Sequence, residues 1–184
     1  DWLCKKRLTN AAKQAGRVAA EGLVGVAVGG DTGALVEVNS ETDFVARNAQ
    51  LKDFATNDAE IALEIDGDLE KLLTKPMGSA TVRDELTGLI AKIGENMSVR
   101  RVAALAVKPG VVASYVHNAS SPELGKIGVL VGLKSEGDAA KLSAFGKQLA
   151  MHVAAGAPLA LTPEHLSADV IERERNVQRE LAKQ

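Results

Sequence analysis

The sequence predicts an α+β fold made of two duplicated subdomains, each a small antiparallel sheet (hairpin, helices, strand) packed against helices. The first observation behind this prediction is a pair of β-branched runs separated by a glycine-rich turn, which is typical of a β-hairpin. The second is that the order hairpin then helix occurs twice, before and after a break at Lys108-Pro109-Gly110. Repetition of one structural order along a chain favours internal duplication.

The first half of the chain predicts a hairpin, helices and a closing strand. The expected elements are, in order, a helix over 1–21, strands over 22–28 and 34–39, a helical run from about Thr42 to Leu73, a helix over 80–94 and a strand over 95–107. Ser40 and Asp43 fit the S-x-x-D/E form of a capping box, which predicts a helix start there. Gly67 interrupts the helical run, and Gly94 fits a helix C-cap.

The second half predicts another hairpin, a helix and a charged C-terminal helix. The expected elements are strands over 111–118 and 125–133, a helix over 135–155 and a charged helix from Ser167 to Gln184. Thr162 is expected to cap a helix that has Pro163 at its first position. The charged helix has one apolar stripe, which is half of a coiled-coil seam. That stripe consists of Val170, Val177 and Leu181. No counterpart of the closing strand follows the second hairpin.

Composition and charge disfavour several classes of protein. Hydrophobic residues make up 46% and charged residues 25% of the 184 residues, as in ordinary soluble globular proteins, whereas aromatic residues make up only 3%. A net charge of −2 disfavours nucleic-acid binding, because domains that neutralise phosphates are usually basic. The single cysteine, Cys4, allows no disulfide within one copy, and no apolar run is long enough to span a membrane. The N-terminus has neither a secretory signal nor an initiator Met, so we expect the chain to begin inside a longer protein.

Motifs for catalysis, nucleotide binding and metal binding are weak. The glycine-rich segment 29–34 lies between two predicted hairpin strands and lacks the Gly-Lys-Ser/Thr ending of a phosphate loop, which favours a turn. The histidines at 117, 152 and 165 are far apart, so no metal site is expected. No Ser/His/Asp order or carboxylate pair stands out among the 24 acidic residues. We therefore expect neither an enzyme active site nor a cofactor.

Two residues have both a structural and a functional interpretation. Phe44 follows Ser-Glu-Thr-Asp at a predicted strand–helix boundary. Composition alone favours a core position for it, but an aromatic residue at the end of a rigid element among polar groups has the profile of an interface anchor. His152 lies among Ala and Val residues, where residue type alone favours a buried, hydrogen-bonded histidine.

Several stretches of the chain resemble the family of bacterial elongation factor Ts, the guanine nucleotide exchange factor for elongation factor Tu. The stretches are AAKQAGRVAAEGLVGVAV (11–28), EVNSETDFVARN (37–48), IAKIGENMSVRRVAAL (90–105), ASYVHN (113–118), GKIGVLV (125–131) and AMHVAA (150–155). They occur in order over nearly the whole chain, and TDFVARN and IGENMSVRR are highly specific. The sequence is most similar to alphaproteobacterial members of that family.

The resemblance implies a domain organisation and a set of site residues. Residues 1–16 match the end of an N-terminal domain and its linker, 17–108 the first core subdomain, and 109–184 a truncated second subdomain in which 163–184 begins a coiled-coil hairpin. By resemblance, the stretch that disturbs the Mg²⁺ region of elongation factor Tu consists of Thr42, Asp43, Phe44 and Val45, with Phe44 wedging between partner side chains. Further partner-contacting positions of the family match Ile127, Gly128 and His152.

The resemblance also implies a cytoplasmic exchange factor without covalent chemistry, cofactor or metal. The expected partner is elongation factor Tu, bound to GDP or free of nucleotide, and a homodimer is left open. Nucleic acids and membranes are not expected partners. Two alternatives stay open: a non-catalytic interaction module within a larger assembly, and a nucleotide-binding enzyme that uses the glycine turns.

Overall fold

A computed structural model of the protein describes Thr9 and residues 11–183. Contacts within the chain divide it into two compact units, Asp1–Ala154 and Ala155–Gln184. The first unit holds both predicted hairpins, and the second is a short segment followed by the C-terminal helix. The predicted subdomains over 17–108 and 109–184 stay a prediction.

The elements confirm the predicted α+β class, with small antiparallel sheets packed against helices. The strands are β1 (Glu21–Val28), β2 (Thr32–Ser40), β3 (Pro76–Met77), β4 (Ala80–Thr81), β5 (Met97–Ala106), β6 (Gly110–His117), β7 (Leu124–Gly125) and β8 (Ile127–Lys134). The helices are α1 (Asp43–Ala46), α2 (Ala49–Ala62), α3 (Leu69–Thr74), α4 (Val82–Ile93), α5 (Ala139–Gly156) and α6 (Ala168–Leu181).

The main sheet has four antiparallel strands in the order β5-β2-β1-β7. Strands β1 and β2 form the first predicted hairpin, and β5 is its predicted closing strand. Strand β7 was not predicted, because two residues are too few to show a strand pattern. It lies between the two strands of the second hairpin and pairs with Val24 and Gly25 of β1. The second hairpin therefore contributes an edge strand to the first sheet.

The two faces of the main sheet have different neighbours, since successive residues of a strand point to opposite sides. Helix α2 lies against one face, where a Cβ on Gly25 would be 2.6 Å from the carbonyl oxygen of Ala55. The hairpin of β6 and β8 packs on the other face, where a Cβ on Gly128 would be 2.8 Å from side-chain carbons of Val24 and Leu35. Both glycines thus let neighbouring layers approach closely.

The helical run predicted from Thr42 to Leu73 is wrong as a single element, since it consists of α1, α2 and α3. The first interruption is at Asn48, whose Oδ1 accepts a hydrogen bond from the Gln50 N–H at 2.8 Å and so caps α2. The second is at Asp66 and Gly67, whose φ angles of 48° and 77° are left-handed. The interruption predicted at Gly67 is confirmed.

The predicted capping box at Ser40 is wrong. The N-cap of α1 is Thr42, whose Oγ1 accepts a hydrogen bond from the Val45 N–H at 3.5 Å. Ser40 is instead buried, and its Oγ donates to the Thr42 carbonyl oxygen at 3.0 Å. The sequence spacing was compatible with both arrangements, but only Thr42 lies directly before the helical turn.

Other element ends also differ from prediction. Residues 80–81 form β4, so α4 begins at Val82, and it ends at the predicted C-cap Gly94. Of the helix predicted over 1–21, residues 11–14 are helical and residues 18–20 have no regular structure, whereas 1–8 and 10 lie outside the described residues.

The second hairpin is confirmed, with β6 and β8 paired along their whole length. Strand β8 begins two residues later than predicted because Leu124-Gly125 pairs with β1 instead. Helix α5 begins at Ala139, later than the predicted residue 135. It lies on this hairpin at Gly146, where a Cβ would be 2.6 Å from Cβ of Ala113.

In the second unit, residues 157–167 contain no α-helix and lead to α6. Thr162 is at the N-cap position and Pro163 is the first residue, as predicted, but the element is only a 3₁₀ turn that ends at His165, and the Thr162 side chain makes no capping hydrogen bond. Helix α6 contains most of the predicted charged helix, and Gln184 lies outside the described residues. Val177 and Leu181 of the predicted apolar stripe are 46% and 56% exposed.

Candidate functional site

The candidate site is the corner that leads from β2 through α1 to α2, residues 40–48, here called the β2–α1 corner. Helix α1 is one turn long, so its residues point to opposite sides. Val45 and Ala46 are each 7% exposed and face inward, whereas Phe44 is 79% exposed. The two buried residues anchor the turn, and the aromatic ring is left in solvent.

Phe44 is the most exposed of the three phenylalanines. Phe54, in α2, is 2% exposed and belongs to the core, and Phe145, in α5, is 52% exposed. The interpretation of Phe44 as a core residue, which composition favoured, is wrong. Its ring is available to another molecule, and burial of such a side chain contributes about 1.5–3 kcal/mol.

Asp43 lies on the solvent side of the same corner. Its Oδ2 accepts a hydrogen bond from Arg47 Nη2 at 3.0 Å, across one helical turn. Both side chains are exposed, and pairs of this kind contribute at most about 1 kcal/mol. Either group can therefore exchange this contact for one with a partner at small cost.

Thr42 is held by a residue that sequence analysis did not identify. The carboxylate of Glu95, from the loop between α4 and β5, accepts hydrogen bonds from the Thr42 N–H at 3.1 Å and from Thr42 Oγ1 at 2.8 Å. The signal for this contact was present, since Glu95 lies in IGENMSVRR, a stretch that carries the resemblance. In that stretch only Gly94, the predicted C-cap, had an expected structural role, and no residue had an expected role in the site.

Ile127 and Gly128, the first residues of β8, have different surroundings. Ile127 is 43% exposed and lies opposite His117 in the hairpin. Gly128 faces the main sheet at close range, so any side chain there would collide with Val24 and Leu35. Ile127 can therefore offer a side chain to a partner, whereas Gly128 can offer only backbone atoms.

Lys126 connects the β2–α1 corner to this pair of residues, and sequence analysis missed it too. One groove, of about 460 Å³, has Asp43, Arg47 and Lys126 among its lining residues. A second groove, of about 380 Å³, is lined by Lys126, Ile127 and Gly128 with neighbouring sheet residues. Lys126 Nζ donates to Glu21 Oε2 at 3.0 Å. The fold thus brings two of the predicted contact regions together on either side of one lysine.

His152 lies apart from those two grooves. It is exposed on α5, the helix that packs against the second hairpin, so the interpretation as a buried histidine is wrong. Its neighbour Met151 is 47% exposed, and Phe145, nearer the N-terminus of the same helix, is also exposed. The outer surface of α5 therefore combines apolar side chains and one imidazole with exposed Lys147 and Gln148, and it is accessible to another molecule.

Asp58 is a buried acidic residue outside the candidate site. It is 0% exposed in α2, and neither carboxylate oxygen has a hydrogen-bond partner among the described residues. Burial raises the pKa of Asp58 from 3.8 to about 7, because water stabilises the ionised form and the core does not. When it is ionised, this carboxyl group destabilises the core, and its burial keeps it from contact with a partner.

The described residues contain no group of three or more His, Cys, Asp or Glu side chains that could hold a metal ion. Within the same residues, no helix is both long enough and apolar enough to cross a membrane.

Comparison with known proteins gives consistent matches. The sequence profile of the family described as Elongation factor TS matches residues 41–184. Curated relatives named Elongation factor Ts include those of Parvibaculum lavamentivorans (55% identical over 179 residues) and Methylobacterium radiotolerans (59% identical over 182 residues). These alignments cover 96% and 98% of this chain, but 58% and 59% of the relatives. The chain thus spans about three fifths of the length of the curated relatives it matches.

Proposed function

Because the chain belongs to the elongation factor Ts family, we propose that it is a guanine nucleotide exchange factor in translation elongation. In this proposal it binds elongation factor Tu carrying GDP, disturbs the Mg²⁺ and phosphate region of that protein, and so promotes GDP release in the cytoplasm. It performs no covalent chemistry itself. The observation that carries the proposal is Phe44, a 79% exposed aromatic ring on an anchored corner.

Each residue of the β2–α1 corner has a different role in this proposal. Phe44 inserts between side chains of elongation factor Tu, because its ring is the only large apolar group that α1 presents to solvent. Asp43 gives up its exposed pair with Arg47 for a contact with the partner. Val45 is buried, so we assign it the anchoring of the corner rather than direct contact. Thr42 caps the turn.

A second contact region is required on energetic grounds. A thousandfold faster release needs a barrier about 4 kcal/mol lower. Burial of one phenylalanine contributes about 1.5–3 kcal/mol. We propose that Ile127 and His152, with the backbone at Gly128, supply the remaining contact energy, since both side chains are accessible.

The test is the rate at which fluorescently labelled GDP leaves elongation factor Tu at rising concentrations of this chain. We expect the release rate to rise with chain concentration until it saturates. Tight binding without faster release would support the non-catalytic interaction module instead. Binding of GDP by the chain alone would support the nucleotide-binding enzyme.

A further inference from the structure

The β2–α1 corner is tied to the loop between α4 and β5 by two crossed contacts. Gly94 ends α4 with a left-handed φ of 84°, and the chain then turns back toward the corner. Glu95 accepts two hydrogen bonds from Thr42, one from the backbone N–H and one from the hydroxyl. In the opposite direction, Glu41 Oε1 accepts a hydrogen bond from the backbone N–H of Asn96 at 2.5 Å. Each segment thus supplies a carboxylate to the backbone of the other.

The Glu95 contact acts directly on the start of α1. Thr42 Oγ1 donates its proton to Glu95 and accepts a hydrogen bond from the Val45 N–H at 3.5 Å. The hydroxyl that caps α1 is therefore oriented by a residue 53 positions further along the chain. A helix of four residues has no stability of its own, because the cost of helix nucleation is not recovered in one turn. The position of α1 must be fixed by such contacts and by its buried residues.

We infer that Glu95 is a positioning residue that holds the β2–α1 corner in the conformation in which Phe44 points into solvent. A corner fixed before the encounter loses less conformational freedom when it binds, so more of the contact energy is available to the complex. The part of this inference that concerns exchange rests on the proposed function, whereas the part that concerns the order of the corner does not.

The first experiment needs no partner. Hydrogen exchange of individual backbone amides is measured by NMR for the parent chain, Glu95→Ala and Glu95→Gln. The control is Glu60→Ala, because Glu60 is exposed on α2 and its side chain has no hydrogen bond or ion pair among the described residues. In Glu95→Ala we expect the amides of Thr42 and Val45 to exchange at least about tenfold faster.

Two features separate positioning from general stabilisation. Amides of β1 and α2 should exchange at the parent rate in Glu95→Ala, and Glu95→Gln should restore part of the protection, because its amide oxygen can still accept from Thr42. Chymotrypsin should also cleave after Phe44 faster in Glu95→Ala than in the Glu60→Ala control. Unchanged exchange at Thr42, or equal acceleration at every amide, would overturn the inference.

The second experiment asks whether Glu95 acts through Phe44. GDP release from elongation factor Tu is measured with the parent, Glu95→Ala, Phe44→Ala and the double variant. We expect Glu95→Ala alone to reduce the acceleration of GDP release about tenfold. In the Phe44→Ala background, we expect the added Glu95→Ala substitution to have no further effect. Additive effects would contradict the inference. A parent chain that fails to accelerate release would refute the proposed function, and the amide exchange would still decide whether Glu95 holds the corner.

Discussion

Asp58→Asn is expected to stabilise this protein at neutral and alkaline pH but not in acid. Asp58 is fully buried in α2, and both of its oxygens lack a hydrogen-bond partner among the described residues. Asparagine has nearly the same shape and leaves a similar polar group in the core, but it cannot ionise. The substitution therefore isolates the cost of the buried charge from the cost of the buried polar atoms.

The magnitude follows from the pKa of this carboxyl group. Burial raises that pKa from 3.8 to about 7 in the folded protein. The folded chain therefore holds a proton on Asp58 that the unfolded chain releases, and stability falls as pH rises from about 4 toward 7. A difference of about 3 pH units, at about 1.36 kcal/mol each, gives about 4 kcal/mol at pH 8. Well below pH 4 the carboxyl group is protonated in both states and this loss disappears.

The assay is urea unfolding at pH 4 and pH 8, monitored by far-ultraviolet circular dichroism. Asp53→Asn is the matched control, because Asp53 lies on the same helix and is exposed. At pH 8 we expect the free energy of unfolding of Asp58→Asn to exceed that of the parent by several kcal/mol. This difference corresponds to a melting temperature higher by on the order of 10 °C. At pH 4 parent and variant should be nearly equal. The same difference at both pH values would show that Asp58 is not desolvated in the folded protein, and the reasoning would be refuted.

Three further predictions concern Phe44, the glycines and nucleotide binding. Phe44→Ala should reduce the acceleration of GDP release at least tenfold. Its free energy of unfolding should change by no more than about 0.5 kcal/mol, because the ring is 79% exposed. A loss of several kcal/mol in the urea assay would show that the ring is buried after all. Gly128→Ala should cost about 1–3 kcal/mol because its Cβ would lie 2.8 Å from Val24 and Leu35. Gly88→Ala, in α4 with nothing within 4 Å, should instead gain about 0.5–1 kcal/mol, and equal effects at both glycines would contradict this packing. Calorimetry of the chain alone with GTP and Mg²⁺ should show no binding, and micromolar binding would favour the nucleotide-binding enzyme.

Local patterns in the sequence were sufficient for the long strands of the two hairpins and for β5. The first hairpin was predicted from β-branched runs around a glycine turn, and its pairing from Glu21 to Val28 confirms it. The C-cap at Gly94 followed from residue type alone. Phe44 could be suspected because it follows four polar residues, but its exposure depends on the inward direction of Val45 and Ala46, which spacing along the chain does not fix.

The features that the sequence did not reveal depend on contacts between distant segments. Strand β7 exists because Leu124 and Gly125 reach β1, a hundred residues earlier in the chain. The contact between Glu95 and Thr42 joins two loops whose approach is decided by the packing of α4 and β5. Asp58 gives no signal in the sequence, because one acidic residue on an amphipathic helix is ordinary until the face that it occupies is known.

The affinity of this chain for elongation factor Tu, measured with and without GDP in the same buffer, tests the central claim most directly. Coupling between two ligands is reciprocal, so a factor that weakens GDP binding must itself bind less tightly when GDP is present. We expect the dissociation constant of the chain to be at least about tenfold larger with saturating GDP, and Phe44→Ala to reduce that ratio. Equal dissociation constants in the two conditions would mean that the chain binds without acting on the nucleotide, which would contradict the account.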